Sequence, residues 1–349
     1  MKKQKPDPRE FTPEEIYREL DRYVIGQERA KRTIAIAAYG HIKRITSQRL
    51  IESRIVRKSN ILLIGPTGCG KTHLARTLAT ALELPIIIAD ATEYTEAGYY
   101  GKDVEVMVGE LLHRAGKNVE LAEKGIIFLD EIDKIAGRGE AARTGASGRD
   151  IGGEGVQQSL LRMLEGQKMF VPLNVTQHWN KHDFVEIDTS SILFICAGTF
   201  SDLRGAKPEA RSGFHADAAQ RRKRGRITLE QLQKHGMIPE LLGRLPVVVQ
   251  MDELSADELL RVLTEPPDSL VNQYREFMAA DDIKLKFQSG ALQEIIKAAE
   301  RRKLGARGLR SLMEEVMHDH LFDAPKNRGK TITVTARNVA DKTGADVID

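Results

Sequence analysis

Two hydrophobic patterns alternate along the chain: short unbroken apolar runs, and longer stretches with apolar residues at helical spacing. That alternation predicts parallel strands buried on both faces and joined by helices. The runs are Ile61-Leu62-Leu63-Ile64, Pro85-Ile86-Ile87-Ile88-Ala89-Asp90, Gly125-Ile126-Ile127-Phe128-Leu129, Ile192-Leu193-Phe194-Ile195-Cys196-Ala197 and Val247-Val248-Val249. Helices are predicted over 73–79, 104–114 and 154–164 between them, so the fold class is α/β with a doubly wound sheet. Ahead of the first strand, Thr12-Pro13-Glu14-Glu15 sets an N-cap threonine before a proline and two acids. A helix therefore starts there and runs to about residue 23. Another is predicted over 28–45, and 46–59 reads as a polar linker. Residues 137–153 read as a mobile loop, 170–184 as a long hairpin or loop, and 201–233 as the longest unstructured stretch. Composition shifts at 252–255, where a smaller α/β unit begins. Its predicted elements are helices near 255–263 and 268–279, a strand at 284–287, helices over 289–302 and from Gly305 to about 322, and a strand at 331–335.

The first apolar run breaks into Gly65-Pro66-Thr67-Gly68-Cys69-Gly70-Lys71-Thr72 and then into a helix that begins with His73. Strand, glycine loop and helix in that order form a phosphate cradle. Glycine lets the backbone turn its N–H groups inward, and the helix start adds partial positive charge. Lys71 reaches the β- and γ-phosphates, and Thr72 offers a hydroxyl to magnesium. The third run ends in Asp130-Glu131-Ile132-Asp133, which places acids at the carboxyl edge of a parallel sheet, where such sheets bind ligands. Asp130 is the expected magnesium ligand, and Glu131 the group that orients or deprotonates the attacking water.

Other positions leave two readings open. Val24-Ile25 either packs on a purine ring or fills a helix junction. Tyr99 and Tyr100, between Gly98 and Gly101, belong either to a loop folded onto its own core or to a binding loop. Arg244, between Gly243 and Leu245-Pro246, is either a projecting functional arginine or an ordinary surface one. The run Arg221-Arg222-Lys223-Arg224-Gly225-Arg226 is either solvated or a contact for nucleic acid or an acidic partner.

Composition narrows the classes further. Lysine plus arginine minus aspartate plus glutamate is 53 − 50 = +3, too balanced to argue for nucleic acid. Cys69 and Cys196 are the only cysteines, which excludes a disulfide framework and a four-cysteine zinc site. The basic start has no apolar core of a secretion signal, and no run reaches membrane-spanning length, so a cytoplasmic location is expected.

Laid out in this order, the motifs resemble the ClpX-type unfoldases of the AAA+ Clp/Hsp100 family from about residue 17 to 335. The strings are Asp21-Arg22-Tyr23-Val24-Ile25-Gly26-Gln27, the phosphate loop, Ala91-Thr92-Glu93 through Gly101, the Asp130-Glu131 strand, Gly153-Glu154-Gly155-Val156-Gln157-Gln158, Gly236 through Pro246, and Gly305 through Arg310. HslU is a weaker match, for want of a large inserted domain. The resemblance implies an AAA+ large ATPase domain over 59–252 after a helical lead-in and linker (1–58), and a mostly helical small domain over 253–349. It implies a homo-hexamer that hydrolyses ATP with Mg2+ and draws protein substrates through a central pore. By the same resemblance Val24 and Ile25 line the adenine pocket, Arg244 is an arginine finger reaching a neighbouring subunit's nucleotide, and Arg307 is a sensor arginine. Thr199 stands near the first sensor position. Tyr99 and Tyr100 form the pore loop, with Tyr100 where the family usually has valine.

Three further departures stand out. No cysteine-rich zinc-binding segment precedes the ATPase module, so adaptors that dock there are expected to find no site. The Arg-Lys-His pore-entrance loop is replaced by His178, Trp179, Lys181 and His182. Ser212-Gly213-Phe214 stands where an Ile-Gly-Phe tripeptide would dock on a ClpP-type peptidase. Losing a buried isoleucine removes about 1.5–3 kcal/mol per docking site, which argues against that peptidase partner. The competing function is a DNA-dependent AAA+ ATPase using the basic cluster.

Overall fold

The computed structural model describes residues 11–53, 56–95, 102–136, 153–173, 184–204, 226–302 and 305–344. Tyr99 and Tyr100, most of the stretch expected to be a loop at 137–153, the segment holding His178 to His182, the Ser212-Gly213-Phe214 tripeptide and the basic cluster up to Gly225 lie outside them.

Contacts divide the chain into two units. The first holds Met1–Tyr17, Arg29–Gly65 and Lys71–Met251; the second holds Arg18–Glu28, Pro66–Gly70 and Asp252–Asp349. In the first unit the strands are β1 (Ile61–Ile64), β2 (Ile86–Asp90), β3 (Tyr94–Thr95), β4 (Lys102–Asp103), β5 (Ile126–Asp130), β6 (Lys168–Pro172), β7 (Phe184–Asp188), β8 (Leu193–Gly198) and β9 (Val247–Gln250). Five form one parallel sheet in the order β2-β5-β8-β1-β9.

Every residue of β1 and β8 is buried, as are Ile126 to Leu129 of β5. A strand covered on both faces has no polar side to show, which is why these segments read as unbroken apolar runs. One face packs Leu62, Ile127 and Phe194 against the helices Val106–Arg114 and Gly153–Glu165, through Met107, Leu111, Leu160 and Leu164. Register pairs Asp90 with Asp130 and Ile64 with Gly198. The carboxyl ends of β1, β5 and β8 therefore share one edge, from which Gly65, Glu131 and Thr199 continue.

The structure differs from the pattern reading in its short elements. The 46–59 linker contains the helix Gln48–Ser53. The 201–233 stretch holds helices Ser201–Arg204 and Leu229–His235, the second closed by a capping box of Thr228 and Gln231. Helices Val119–Glu123 and Pro239–Gly243 were not visible as periodicity, because five residues span barely more than one turn. Residues 170–184 do begin and end a hairpin, since β6 and β7 pair antiparallel.

The second unit carries β10 (Lys284–Phe287) paired in parallel with β11 (Thr331–Val334). Its helices Ala256–Thr264, Leu270–Ala279, Ser289–Arg301, Gly305–Phe322 and Ala336–Thr343 enclose Leu263, Val271, Ile295, Leu312, Val316 and Val339. The last helix went unread from the sequence. Among the described residues, no helix is long and apolar enough to cross a membrane.

Candidate functional site

The phosphate loop leaves β1 at Gly65, whose N–H donates to Gly198 O of β8 at 3.1 Å. Gly68 and Gly70 take φ of 79° and 98°, left-handed values that a β-carbon would strain. The chain then enters the helix Lys71–Ala81. Lys71 is buried, and its Nζ donates to Gly65 O at 2.7 Å, which folds the ammonium back toward the end of β1. Thr72 Oγ1 donates to Asp130 Oδ2 at 3.1 Å. A hydroxyl and a carboxylate oxygen this close are hard donors, and their pairing beside a glycine cradle fits a magnesium ion shared with phosphate oxygens.

Asp130 Oδ1 accepts the N–H of Glu131 at 3.0 Å. Glu131 is exposed and holds φ 59°, ψ 31°. A left-handed glutamate costs on the order of 1–2 kcal/mol, and such strain is kept where the surrounding structure fixes it, often at functional sites. The turn Ile132–Ile135 follows and buries Asp133.

Asp133 is the site residue to which sequence reasoning gave no role. Its Oδ2 accepts from Thr199 Oγ1 at 2.8 Å and from Phe200 N at 3.1 Å, and its Oδ1 accepts from Thr199 N at 3.2 Å. Phe200 is fully buried at φ 48°. A β-carbon on Gly198 would stand 2.6 Å from the Phe200 ring and 2.9 Å from Asp133 Oδ1. Thr199 is thus fixed by a carboxylate that follows Glu131 by two residues. The only sequence signal was its place in Asp130-Glu131-Ile132-Asp133.

Arg244 follows the short helix Pro239–Gly243. Its Nη2 donates to Glu165 Oε1 at 2.6 Å, with 41% of the arginine side chain and 48% of the glutamate exposed. Its carbonyl accepts from Asn60 Nδ2 at 3.0 Å, and Asn60, itself buried, also bonds Leu164 O and Phe194 N. Among the described residues Arg244 makes no hydrogen bond to Lys71, Thr72, Asp130 or Glu131.

In the second unit Val24 and Ile25 are buried. Behind them Gly26 and Gln27 are both left-handed, with φ of 64° and 56°. The Gln27 amide holds that turn by bonding both backbone groups of Asp252, at 2.7 and 3.1 Å. Pro66, Thr67, Gly68 and Cys69 line a cavity of ≈ 370 Å³ in the same unit with Leu254, Leu259, Glu300 and Gly305. Arg307 is exposed on the first turn of the helix Gly305–Phe322. A β-carbon on Gly305, at φ 54°, would lie 3.3 Å from Thr67 O. Cys69 is buried, and burial pushes the Cys196 thiol up to about 12.

Two family models match in sequence. Residues 56–248 match the AAA domain (Cdc48 subfamily), and residues 254–334 match the C-terminal, D2-small domain, of ClpB protein. The chain is 43% identical to the ATP-dependent Clp protease ATP-binding subunit ClpX 2 of Wolinella succinogenes over 97% of its own length and 84% of the relative's. It is 42% identical to the corresponding ClpX subunit of Treponema denticola, over 91% and 79% respectively.

Proposed function

The chain belongs to the ClpX-type ATPases of the AAA+ Clp/Hsp100 family, and from that premise we propose that it works as a homo-hexameric, cytoplasmic ring that pulls protein substrates through a central pore. The observation that supports its hydrolytic chemistry is the Thr72–Asp130 pair at 3.1 Å, with Glu131 held next to it in a strained conformation. When ATP binds, Lys71 exchanges its bond to Gly65 O for phosphate oxygens, and the inward N–H groups of the loop hold the rest of the chain. Thr72 and Asp130 would hold Mg2+, which supplies charge neutralisation across the phosphates. Glu131 takes a proton from the attacking water at its carboxylate. Arg244 of the adjoining protomer lets go of Glu165 and meets the charge developing on the transferred phosphoryl group. Val24 and Ile25 pack on the adenine, Arg307 contacts the nucleotide from the small domain, and Thr199 senses the γ-phosphate.

Tyr99 and Tyr100 grip the polypeptide in this reading, and the division into 1–58, 59–252 and 253–349 belongs to the same proposal. The test is ATP turnover with an unfolded protein or with DNA added. Unfolded protein should raise turnover, and Tyr99→Ala should remove that stimulation while leaving basal hydrolysis intact. Stimulation by DNA alone, weakening steeply with salt, would replace the unfoldase with a nucleic-acid remodeller acting through the Arg221 to Arg226 cluster.

A further inference from the structure

The string Gly153-Glu154-Gly155-Val156-Gln157-Gln158 contributes none of the site residues above, yet it contains a fully buried amide. Gln157, on the helix Gly153–Glu165, has no exposed surface. Its Nε2 donates to Ile135 O at 2.9 Å and to Gly236 O at 3.0 Å, and its Oε1 accepts the N–H of Ile238 at 2.9 Å. Both amide protons and the oxygen are used, and two acceptors against one donor fix which way the amide faces.

These partners sit on two different arms. Ile135 closes the turn that opens directly after Glu131. Gly236 and Ile238 open the arm that runs through Pro239–Gly243 to Arg244. A buried glutamine is unfavourable unless every bond is made, and once made its bonds allow one arrangement of the groups they join. We infer that Gln157 is a positioning residue that ties the subunit's own hydrolytic acid to the arginine it lends, so that the two arms move together. Glu131 serves the nucleotide of its own subunit and Arg244 the nucleotide of the next. One side chain would then couple successive sites around the ring. The inference rests on the trans role of Arg244 proposed above.

The test uses mixed rings. Arg244→Ala subunits supply Glu131, Glu131→Gln subunits supply Arg244, and only their shared sites turn over ATP. Gln157→Met, which keeps the volume and removes the bonds, is placed in one type of subunit and then in the other. Each placement should lower kcat about ten-fold with the KM for ATP unchanged, as expected for a group that aligns others without touching substrate. Thermal melting and nucleotide binding of each variant separate this effect from loss of fold. Full activity with Gln157→Met in the arginine-donating subunit would overturn the coupling, and so would full activity with it in the glutamate-supplying one. If Gln157→Met does not fold, Ile238→Pro deletes a single N–H at a residue whose φ of −68° already suits proline. It should lower the rate only from the arginine-donating subunit, and an unchanged rate would overturn the inference. A silent mixture without either substitution is a separate result: it removes the trans role of Arg244, and the inference falls with it.

Discussion

In the proposed mechanism Glu131 is the residue on which turnover depends most narrowly. It sits in a left-handed conformation with its N–H on Asp130, directly after the residue that accepts from Thr72. Glu131→Gln should therefore bind ATP as the parent does and hydrolyse it about 10²-fold more slowly or worse. Equilibrium binding of a fluorescent ATP analogue alongside steady-state phosphate release checks both halves. Near-parental release would take the base role from Glu131. The meeting of Thr72 with Asp130 was legible in the sequence, because a strand breaking into a glycine loop and a second strand ending in acids both bring their carboxyl ends to one edge of a parallel sheet. Asp133, Gln157 and Asn60 were not. Their work is done on partners 66, 79 and 134 residues away, and no local pattern announces a bond at that distance.

Among the elements, the central strands β1, β5 and β8 were readable because burial on both faces leaves an almost unbroken apolar run, and the half-buried edge strands β2 and β9 because β-branched residues fill them. The helix Glu28–Thr46 was readable from its period, but its polar contacts were not. It buries His41, whose Nε2 lies 3.1 Å from Lys124 O, and Nδ1 faces Arg44 Nη2 at 3.5 Å. Lys58 adds further positive charge nearby, and Arg44 itself bonds Ser190 O. Burial first, and then the Arg44 charge, lower the His41 pKa from 6.5 to about 4. Between those values the unfolded chain holds a proton that the folded one does not. Stability therefore falls as pH drops through that window, by on the order of 3 kcal/mol from this group. His41→Gln keeps a donor for Lys124 O and removes the titration. Urea unfolding at pH 6.5 and 4.5 should show a clearly smaller loss in the variant, and equal losses would clear His41 of the effect.

For the whole molecule, family membership turns a set of short contacts into a statement about assembly. If each nucleotide is served by two subunits, Arg244→Ala alone should lose hydrolysis by about 10³-fold or more. Mixing it with the slowed Glu131→Gln protein should return a rate above that of either alone, measured as phosphate release against mixing ratio. No gain over the separate proteins at any ratio would leave each site to a single subunit. Within one protomer Arg244 is held by Glu165, and both side chains stand nearly half in water. An ion pair so wetted holds by no more than about 1 kcal/mol, roughly a five-fold bias. The guanidinium is thus parked rather than locked. Ionic strength loosens the parked form and also weakens the pull of the phosphates on a freed arginine. Turnover should then peak at an intermediate salt concentration, and Glu165→Gln should shift that optimum toward fresher water.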